Sequence, residues 1–490
     1  MNPSETAELP ELGEVRAVYH SNTYKDGGGE PLEIRDPSTG EIFLTLAGAS
    51  GADVDAAVVA AADAYAKVWS SWSTAERSRL CHRVGELLLA NLEQLAAIVV
   101  RDAGLPTSMA TRDIQAAARY FEYYAGVAEV IHGSTIPVQA GFLNYTVREP
   151  WGVCGVIVPF NVPMQMAARS LAPALVTGNT VVLKAAEQAP LAPLMLAAIC
   201  AQAGCPDGVV NVIVGSGPDT GRELVAHPLV EHITFTGSRG AGAHVMANAA
   251  TGIKPVILEL GGKSPHLVFA DADLDRAVTA IVASGFRTAG QVCSAGTRVL
   301  VERSVYDDVI ERLGSAAGSL NVGVANEDPD VGPVISARQR QAIRQGIARG
   351  LESGGRVVAG DDEAAIYRSS GYFVAPTVIE ARAATCSALH EEIFGPVLTV
   401  RSFDGDAEAT RIANDSEYGL VAGVWTGELA RAHKVAGALN AGQVFVNCYG
   451  VGAGVEQPFG GYKRSGFGRL KGVAGAYEYT QLKNVCAAID

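Results

Sequence analysis

The sequence predicts an α/β protein built from more than one domain, and three observations carry that reading. Short apolar, β-branched runs recur at 155–159, 180–184, 209–215 and 232–237, and stretches of helical character separate them. That alternation is the pattern of a parallel sheet covered by helices. The chain has 490 residues, a length that suits two to four domains. Hydrophobic residues make up 48% and charged residues 18%, which allows a large core and argues against wholesale disorder.

Taken in order, residues 1–50 read as turn-rich strand material, with two short strands around the Pro37 to Gly40 turn in 33–41. Residues 51–130 are Ala-rich and helical in period. Asp53 or Asp55 is expected to cap the first helix, and Ser73 stands three residues before Glu76 in capping-box spacing. Segments 135–138 and 142–148 read as strands joined through Gly141. Such a ribbon is marginal alone and must pack on something. Within 152–240 strand and helix alternate, with a helix from about Pro190, since proline suits a first helical turn. Residues 261–440 continue in the same style, as in the strand at 298–301, without an internal repeat or a low-complexity tract.

Composition excludes several function classes. The formal net charge of −14 disfavours nonspecific binding to nucleic acid or to an anionic membrane. The longest apolar stretches are too short or too interrupted to span a bilayer, and the polar N-terminus is followed by no signal-like apolar region. Eight scattered cysteines without a C-x-x-C pair fit a reducing cytoplasm better than a disulfide framework. Cys486 is fifth from the end, one position off a prenylation box. The nine histidines show no metal-ligand spacing, so no catalytic metal is expected.

Two segments concentrate the chemistry. Gly290-Gln291-Val292-Cys293-Ser294 offers a candidate thiolate nucleophile, and Leu258-Glu259-Leu260-Gly261-Gly262-Lys263-Ser264-Pro265 a candidate carboxylate base. A cysteine attacks as its thiolate, so it needs a lowered pKa or a nearby base. The glycines crowding both segments suggest close backbone approach to a ligand. Glu259, flanked by leucines, is expected to be partly buried with a raised pKa, unless it lies on the solvent face of an edge strand. Elsewhere, Phe235-Thr236-Gly237-Ser238 ends a strand and opens a helix, a place that welcomes a pyrophosphate or is an ordinary turn. The lone Gly215-Ser216-Gly217 reads as a plain turn. Lys184 and Glu187, taken alone, read as a surface salt pair, and Asn161 between two prolines as a turn residue.

These segments resemble the aldehyde dehydrogenase superfamily, and the likeness runs over roughly residues 30–485 with the motifs in the family's order. The resemblance implies a Rossmann-like cofactor domain (1–130 and 151–261), an α/β catalytic domain (262–465) and a small β oligomerisation arm (131–150 and 478–490), the arm pairing 142–148 with a strand near the C-terminus. It implies oxidation of an aldehyde to an acid with NAD. Cys293 would form a thiohemiacetal and then a thioester, Asn161 would hold the oxyanion with the Cys293 backbone N–H, and Glu259 would activate water. A second role for Glu259, deprotonating Cys293, stays open.

Gly237 and Ser238 match the family's pyrophosphate turn, with Phe235 just before it, and Phe160 precedes the oxyanion residue. Lys184 and Glu187 match its ribose-binding K-x-x-E segment. A carboxylate there would repel a 2′-phosphate, which favours NAD over NADP. Glu392 and Phe394, in Glu391-Glu392-Ile393-Phe394-Gly395-Pro396, match residues at the nicotinamide ribose, with Glu391 a bystander. Val162, Arg169 and Phe459 match the substrate funnel. Arg169 would either meet a substrate carboxylate or be a surface arginine, and Phe459 either lines the funnel or is a core aromatic. Lys263 is expected to be structural.

The chain departs from the family's pattern where Leu470 follows Arg469 in place of a second glutamate. Val162, Arg169, Gly452 and the small residues of 450–457 suggest a roomy pocket for a bulky or aromatic aldehyde. The expected assembly is a homodimer or homotetramer. The alternatives are a CoA-acylating semialdehyde dehydrogenase and a non-catalytic protein that keeps the fold.

Overall fold

The computed structural model describes residues 9–360, 370–450 and 454–489. The termini, residues 361–369 and residues 451–453 lie outside it, and with them the expectation about Gly452.

Two large sheets organise the chain. The first has eight strands in the order Gly466–Phe467, Val256–Glu259, His232–Thr236, Val153–Ile157, Thr180–Ala185, Val210–Val214, Val18–His20 and Thr23–Lys25. Its five central neighbours run parallel, and antiparallel strands close it at both edges. Parallel strands buried on both faces need continuous apolar runs, and Val153–Ile157, Thr180–Ala185 and Val210–Val214 are buried at every position. The second sheet orders Gly355–Ala359, Thr377–Ala381, Val397–Phe403, Arg298–Glu302, Pro265–Val268, Val421–Trp425 and Gln443–Val446, parallel except for the first pair. Each sheet has its own core, one built on Val156, Leu183 and Val212 with the helices at 74–127, the other on Val299, Leu398 and Val400.

The third element is a three-stranded antiparallel sheet of Thr135–Ile136, Phe142–Pro150 and Thr480–Ala488, the last two paired over nine positions from Thr480↔Pro150 to Ala488↔Phe142. The pairing implied for the arm is therefore present. The whole is a Rossmann-like cofactor-binding fold, an α/β catalytic fold and a small β arm.

Helix starts follow local chemistry. Ser73 and Glu76 form the expected capping box, with the Ser73 backbone N–H donating to Glu76 at 2.7 Å, an arrangement worth about 1 kcal/mol. The first helix corrects the expectation. Ser50 caps Gly51–Lys67, and Asp53 is the third helical residue, accepting from the Ser50 backbone at 2.7 Å. A serine one residue before the helix offers the right geometry, whereas Asp53 and Asp55 already lie inside it. The helix near Pro190 spans Leu191–Gln202, and the buried Asp102 carboxylate accepts from the Leu191 N–H at 2.8 Å.

Candidate active site

Three segments meet at Cys293. The first is the turn after strand Val153–Ile157. Pro163 opens the helix Pro163–Val176, and Val162 before it sits at φ 44°, ψ 61°, a left-handed conformation that a β-branched residue rarely adopts. Such a residue costs about 1–3 kcal/mol and persists only where its surroundings hold it. Here the buried Asp113 carboxylate holds it, accepting from the N–H groups of Met164 (3.1 Å) and Gln165 (2.9 Å). Asn161 is thereby buried, with its Nδ2 donating to the backbone oxygen of Gln291 at 2.7 Å. One amide N–H is thus committed to the cysteine loop, and the other has no hydrogen-bond partner among the described residues.

The second segment is the cysteine loop. Thr288, Ala289 and Gly290 all have positive φ (55°, 51° and 70°), which folds the chain sharply before Cys293. Gln291 pins the loop by accepting at its side-chain oxygen from the Ile335 N–H at 3.1 Å, and Tyr449 donates its hydroxyl to the Ser294 carbonyl at 2.7 Å. The glycines also let protein segments pack closely. A Cβ on Gly290 would stand 2.0 Å from the Gly395 carbonyl oxygen, and one on Gly262 2.6 Å from that of Cys293. A Cβ on Gly261 would meet the Glu392 carboxylate at 1.9 Å.

The third segment ends at Glu259, the last residue of strand Val256–Glu259. It pairs with Thr236 on one side and Gly466 on the other, so it is buried inside the sheet and not on a solvent face. Neither carboxylate oxygen has a hydrogen-bond partner among the described residues. Burial pushes its pKa up to about 8, while Arg169, Arg469 and Lys471 pull the other way. Burial likewise raises the Cys293 thiol to about 11, with Arg169 opposing and the charges of Glu259 and Glu392 adding to the rise. Cys293 is half-buried, whereas Cys81, Cys154, Cys200, Cys205 and Cys386 are buried. Cys448 is half-buried and Cys486 exposed, so access alone does not single out Cys293.

Cys293, Asn161, Val162, Arg169 and Phe459 line one cavity of about 260 Å³. Arg169 is corrected from a surface residue. It is 2% exposed, on a helix buried on nearly all faces, and its Nη2 donates to Thr236 Oγ1 at 2.9 Å. Its guanidinium and the ammonium of Lys471 both lie over the Phe459 ring, at 5.6 Å and 5.1 Å from the centroid.

The other candidate residues lie around the carboxyl ends of the first sheet, where nucleotides bind in open α/β folds. Lys184, nearly buried at its strand end, donates to Glu187 at 3.0 Å, while Glu187 stays half-exposed, so the pair is not a surface one. Ser238 caps the helix Arg239–Thr251, and the Gly237 N–H donates to the Glu259 carbonyl at 3.0 Å, which sets that turn beside Glu259. Phe235 is 5% exposed in the core beneath, its ring against the Gly237 backbone. Phe160 and Phe394 meet edge to face at 6.0 Å. Glu392 accepts from the Gly262 N–H at 3.0 Å and lines a second cavity of about 580 Å³. Glu391 pairs with Arg349 at 2.8 Å. Lys263 is buried, and its ammonium pKa falls to about 7 through burial and the nearby Arg298.

Sequence reading missed Arg112, Arg287, Tyr449 and Lys471 in the wall of the Cys293 cavity. They come from distant parts of the chain, and no local signal joins them. Among the described residues there is no His/Cys/Asp/Glu group able to hold a metal ion and no helix long and apolar enough to cross a membrane.

Comparison with known proteins adds an independent view. The aldehyde dehydrogenase family model matches residues 24–485. The chain is 39% identical over 472 residues to the (Z)-2-((N-methylformamido)methylene)-5-hydroxybutyrolactone dehydrogenase of Acinetobacter baylyi, covering 96% of each chain. The aldehyde dehydrogenase of Bacillus cereus, solved as its NAD+ complex, superposes with a TM-score of 0.95 at 38% identity, covering 99% of this chain and all of that one (100%). A point mutant of betaine aldehyde dehydrogenase from Staphylococcus aureus, solved with NAD+ and a BME-modified cysteine, superposes at 0.93 with 32% identity, covering 96% and 97%.

Proposed function

The chain belongs to the aldehyde dehydrogenase family, and from that premise we propose that it oxidises an aldehyde to a carboxylic acid with NAD, Cys293 being the nucleophile. The observation that carries this reading is that Cys293 and Asn161 share one cavity wall, with Glu259 near enough for its charge to act on the Cys293 thiol.

The residues of the chain divide the work as follows. The Cys293 thiol passes its proton through Glu259 to solvent as its sulfur adds to the aldehyde carbon, and Asn161 offers its uncommitted N–H to the developing alkoxide. When bound, NAD supplies the hydride acceptor. Lys184 and Glu187 at the adenosine ribose, the Gly237-Ser238 turn at the pyrophosphate, and Glu392, Phe394 and Phe160 toward the nicotinamide are the residues proposed to hold it. The donor set fits such a ligand: a helix N-terminus capped by Ser238, and a carboxylate at Glu187 that disfavours a 2′-phosphate. Glu259 then takes a proton from the water that cleaves the thioester, and a pKa near the working pH suits a base. Leu470 is buried at 0% exposure, so no second carboxylate extends from that position and the relay rests on Glu259.

A bulky or aromatic aldehyde suits the cavity. Its volume of about 260 Å³ exceeds the ~150 Å³ that accommodates benzene in an engineered protein cavity. The domain boundaries given above, with NAD on 1–130 and 151–261, belong to the same reading. So does a homo-oligomer formed through the arm, where Phe142, Leu143, Tyr145 and Leu482 leave apolar surface exposed. A light-scattering mass of twice or four times 50.9 kDa supports that assembly, and a monomer mass contradicts it.

The test of the reaction is NADH absorbance across a panel of aliphatic, aromatic and carboxylate-bearing aldehydes, each with and without CoA. Turnover without CoA that disappears in Cys293→Ala supports hydrolytic oxidation. Turnover only with CoA would assign an acylating enzyme, and NAD binding without any turnover a non-catalytic protein.

A further inference from the structure

The Cys293 cavity is cationic although the chain carries a net charge of −14. Four cations contribute to its wall: Arg112, Arg169, Arg287 and Lys471. The inner pair, Arg169 and Lys471, faces the buried Glu259, whose carboxylate both of them favour. The outer pair has no such counter-charge. Arg287 makes no hydrogen bond or ion pair among the described residues, and the one contact of Arg112 is a 3.9 Å approach to the Met109 sulfur. Both side chains are exposed to solvent where the cavity opens, near enough to each other that the charge of Arg112 acts on Arg287. Two exposed like charges repel only weakly through water, but an anion placed between them is attracted by both.

No carboxylate pairs with Arg112 or Arg287 among the described residues. Asp113, in the same wall, spends both oxygens on the Met164 and Gln165 N–H groups. Arg112 and Arg287 also border an adjoining cavity of about 620 Å³, and there Asp275 is tied to Arg312 at 2.5 Å. The wall shared by Cys293 and the two arginines also carries Phe445, Tyr449 and Phe459. The cavity is thus reactive at Cys293, aromatic along its wall and doubly cationic where it joins the neighbouring space.

We infer that the substrate is an aldehyde carrying a carboxylate on its far side, held by Arg112 and Arg287. A planar guanidinium can bind a carboxylate through two parallel N–H bonds, and a second guanidinium completes its oxygen lone pairs. Binding would also relieve the weak repulsion between the two arginines. This inference rests on the aldehyde-oxidising reading above and narrows its substrate class.

The experiment compares kcat/KM for 3- and 4-formylbenzoate and for a ladder of ω-formyl alkanoates, each beside its own methyl ester. The pairs share a reacting group and differ in one charge. The inference predicts at least one acid preferred over its ester by tenfold or more, with the difference in KM. In Arg287→Gln and in Arg112→Gln that preference should fall toward one, and Arg287→Lys should recover part of it. Raising the salt should weaken the acid's KM and leave the ester's unmoved. Equal use of acid and ester throughout the ladder, or a preference that survives in both glutamine variants, would overturn the inference while the oxidation reading stood. If esters and acids alike gave no NADH in the wild type, the underlying reading would fail and the inference with it.

Discussion

At the scale of the residue, environment rather than identity separates Cys293, Glu259 and Asn161 from other residues of their types. Glu259 has two buried carboxylate oxygens without partners and a pKa raised to about 8. A carboxyl group raised in this way is protonated in the fold below that pH and gains its charge only as pH rises through it. Hydrolysis that depends on its base form should therefore climb between pH 7 and 9. Asn161 has one N–H held by Gln291 and one uncommitted. Asn161→Ala should cost ~3 kcal/mol of transition-state stabilisation, a hundredfold or more in kcat, with a much smaller change in KM. Steady-state kinetics checks this, and a loss confined to KM would assign Asn161 to binding. These three residues were legible because each sits in a compact motif. The place of Arg169 near the funnel was read as well, but not its burial, because its sequence neighbours say little about the far side of its helix, although the apolar run around it (Ala167, Ala168, Leu171) hinted at it.

At the scale of the element, the turns before the helices and the cysteine loop carry the design. The strand–helix alternation and the Ser73 capping box could be read from periodicity and spacing, whereas the pairing of the arm with a C-terminal strand came from the family resemblance. The cap of the first helix could not be assigned as cleanly, since Ser50, Asp53 and Asp55 all offer capping oxygens and only backbone geometry selects Ser50. The glycine-rich motifs were visible as motifs, but their part in packing was not, because what crowds Gly290 is Gly395, from a segment about a hundred residues away. Gly290→Ala would place a Cβ 2.0 Å from the Gly395 carbonyl at a φ of +70°. That backbone atom has little freedom to retreat, so the substitution should destabilise by more than the ~1 kcal/mol typical of mutations and displace the cysteine. Thermal unfolding and thiol labelling together check it. An unchanged Tm with normal labelling would show that the loop is softer than its contacts imply.

At the scale of the whole molecule, two parallel sheets bring their chemistry to one place. The first sheet ends in Lys184, Gly237 and Glu259, and the loop that carries Cys293 leads into the second at Arg298–Glu302. This explains why the cofactor and catalytic motifs could be found separately while the cavity between them could not. Its wall takes Arg112 from the helix Thr107–Val127, Arg287 from the end of the helix Leu274–Phe286, and Tyr449 from beyond the last strand of the second sheet. Membership of the family made the architecture legible, but the charge of the pocket depends on tertiary neighbours.

The central claim is that Cys293 carries an acyl group which only Glu259, as base, lets water remove. The most direct measurement is the intact mass of Glu259→Gln after mixing with NAD and an aldehyde that the wild type oxidises, followed by peptide mapping. The account predicts one equivalent of NADH released and then a stall, with the acyl mass retained on the peptide that contains Cys293. Continued turnover at the wild-type rate with no acyl adduct, or an adduct on a different cysteine, would contradict it.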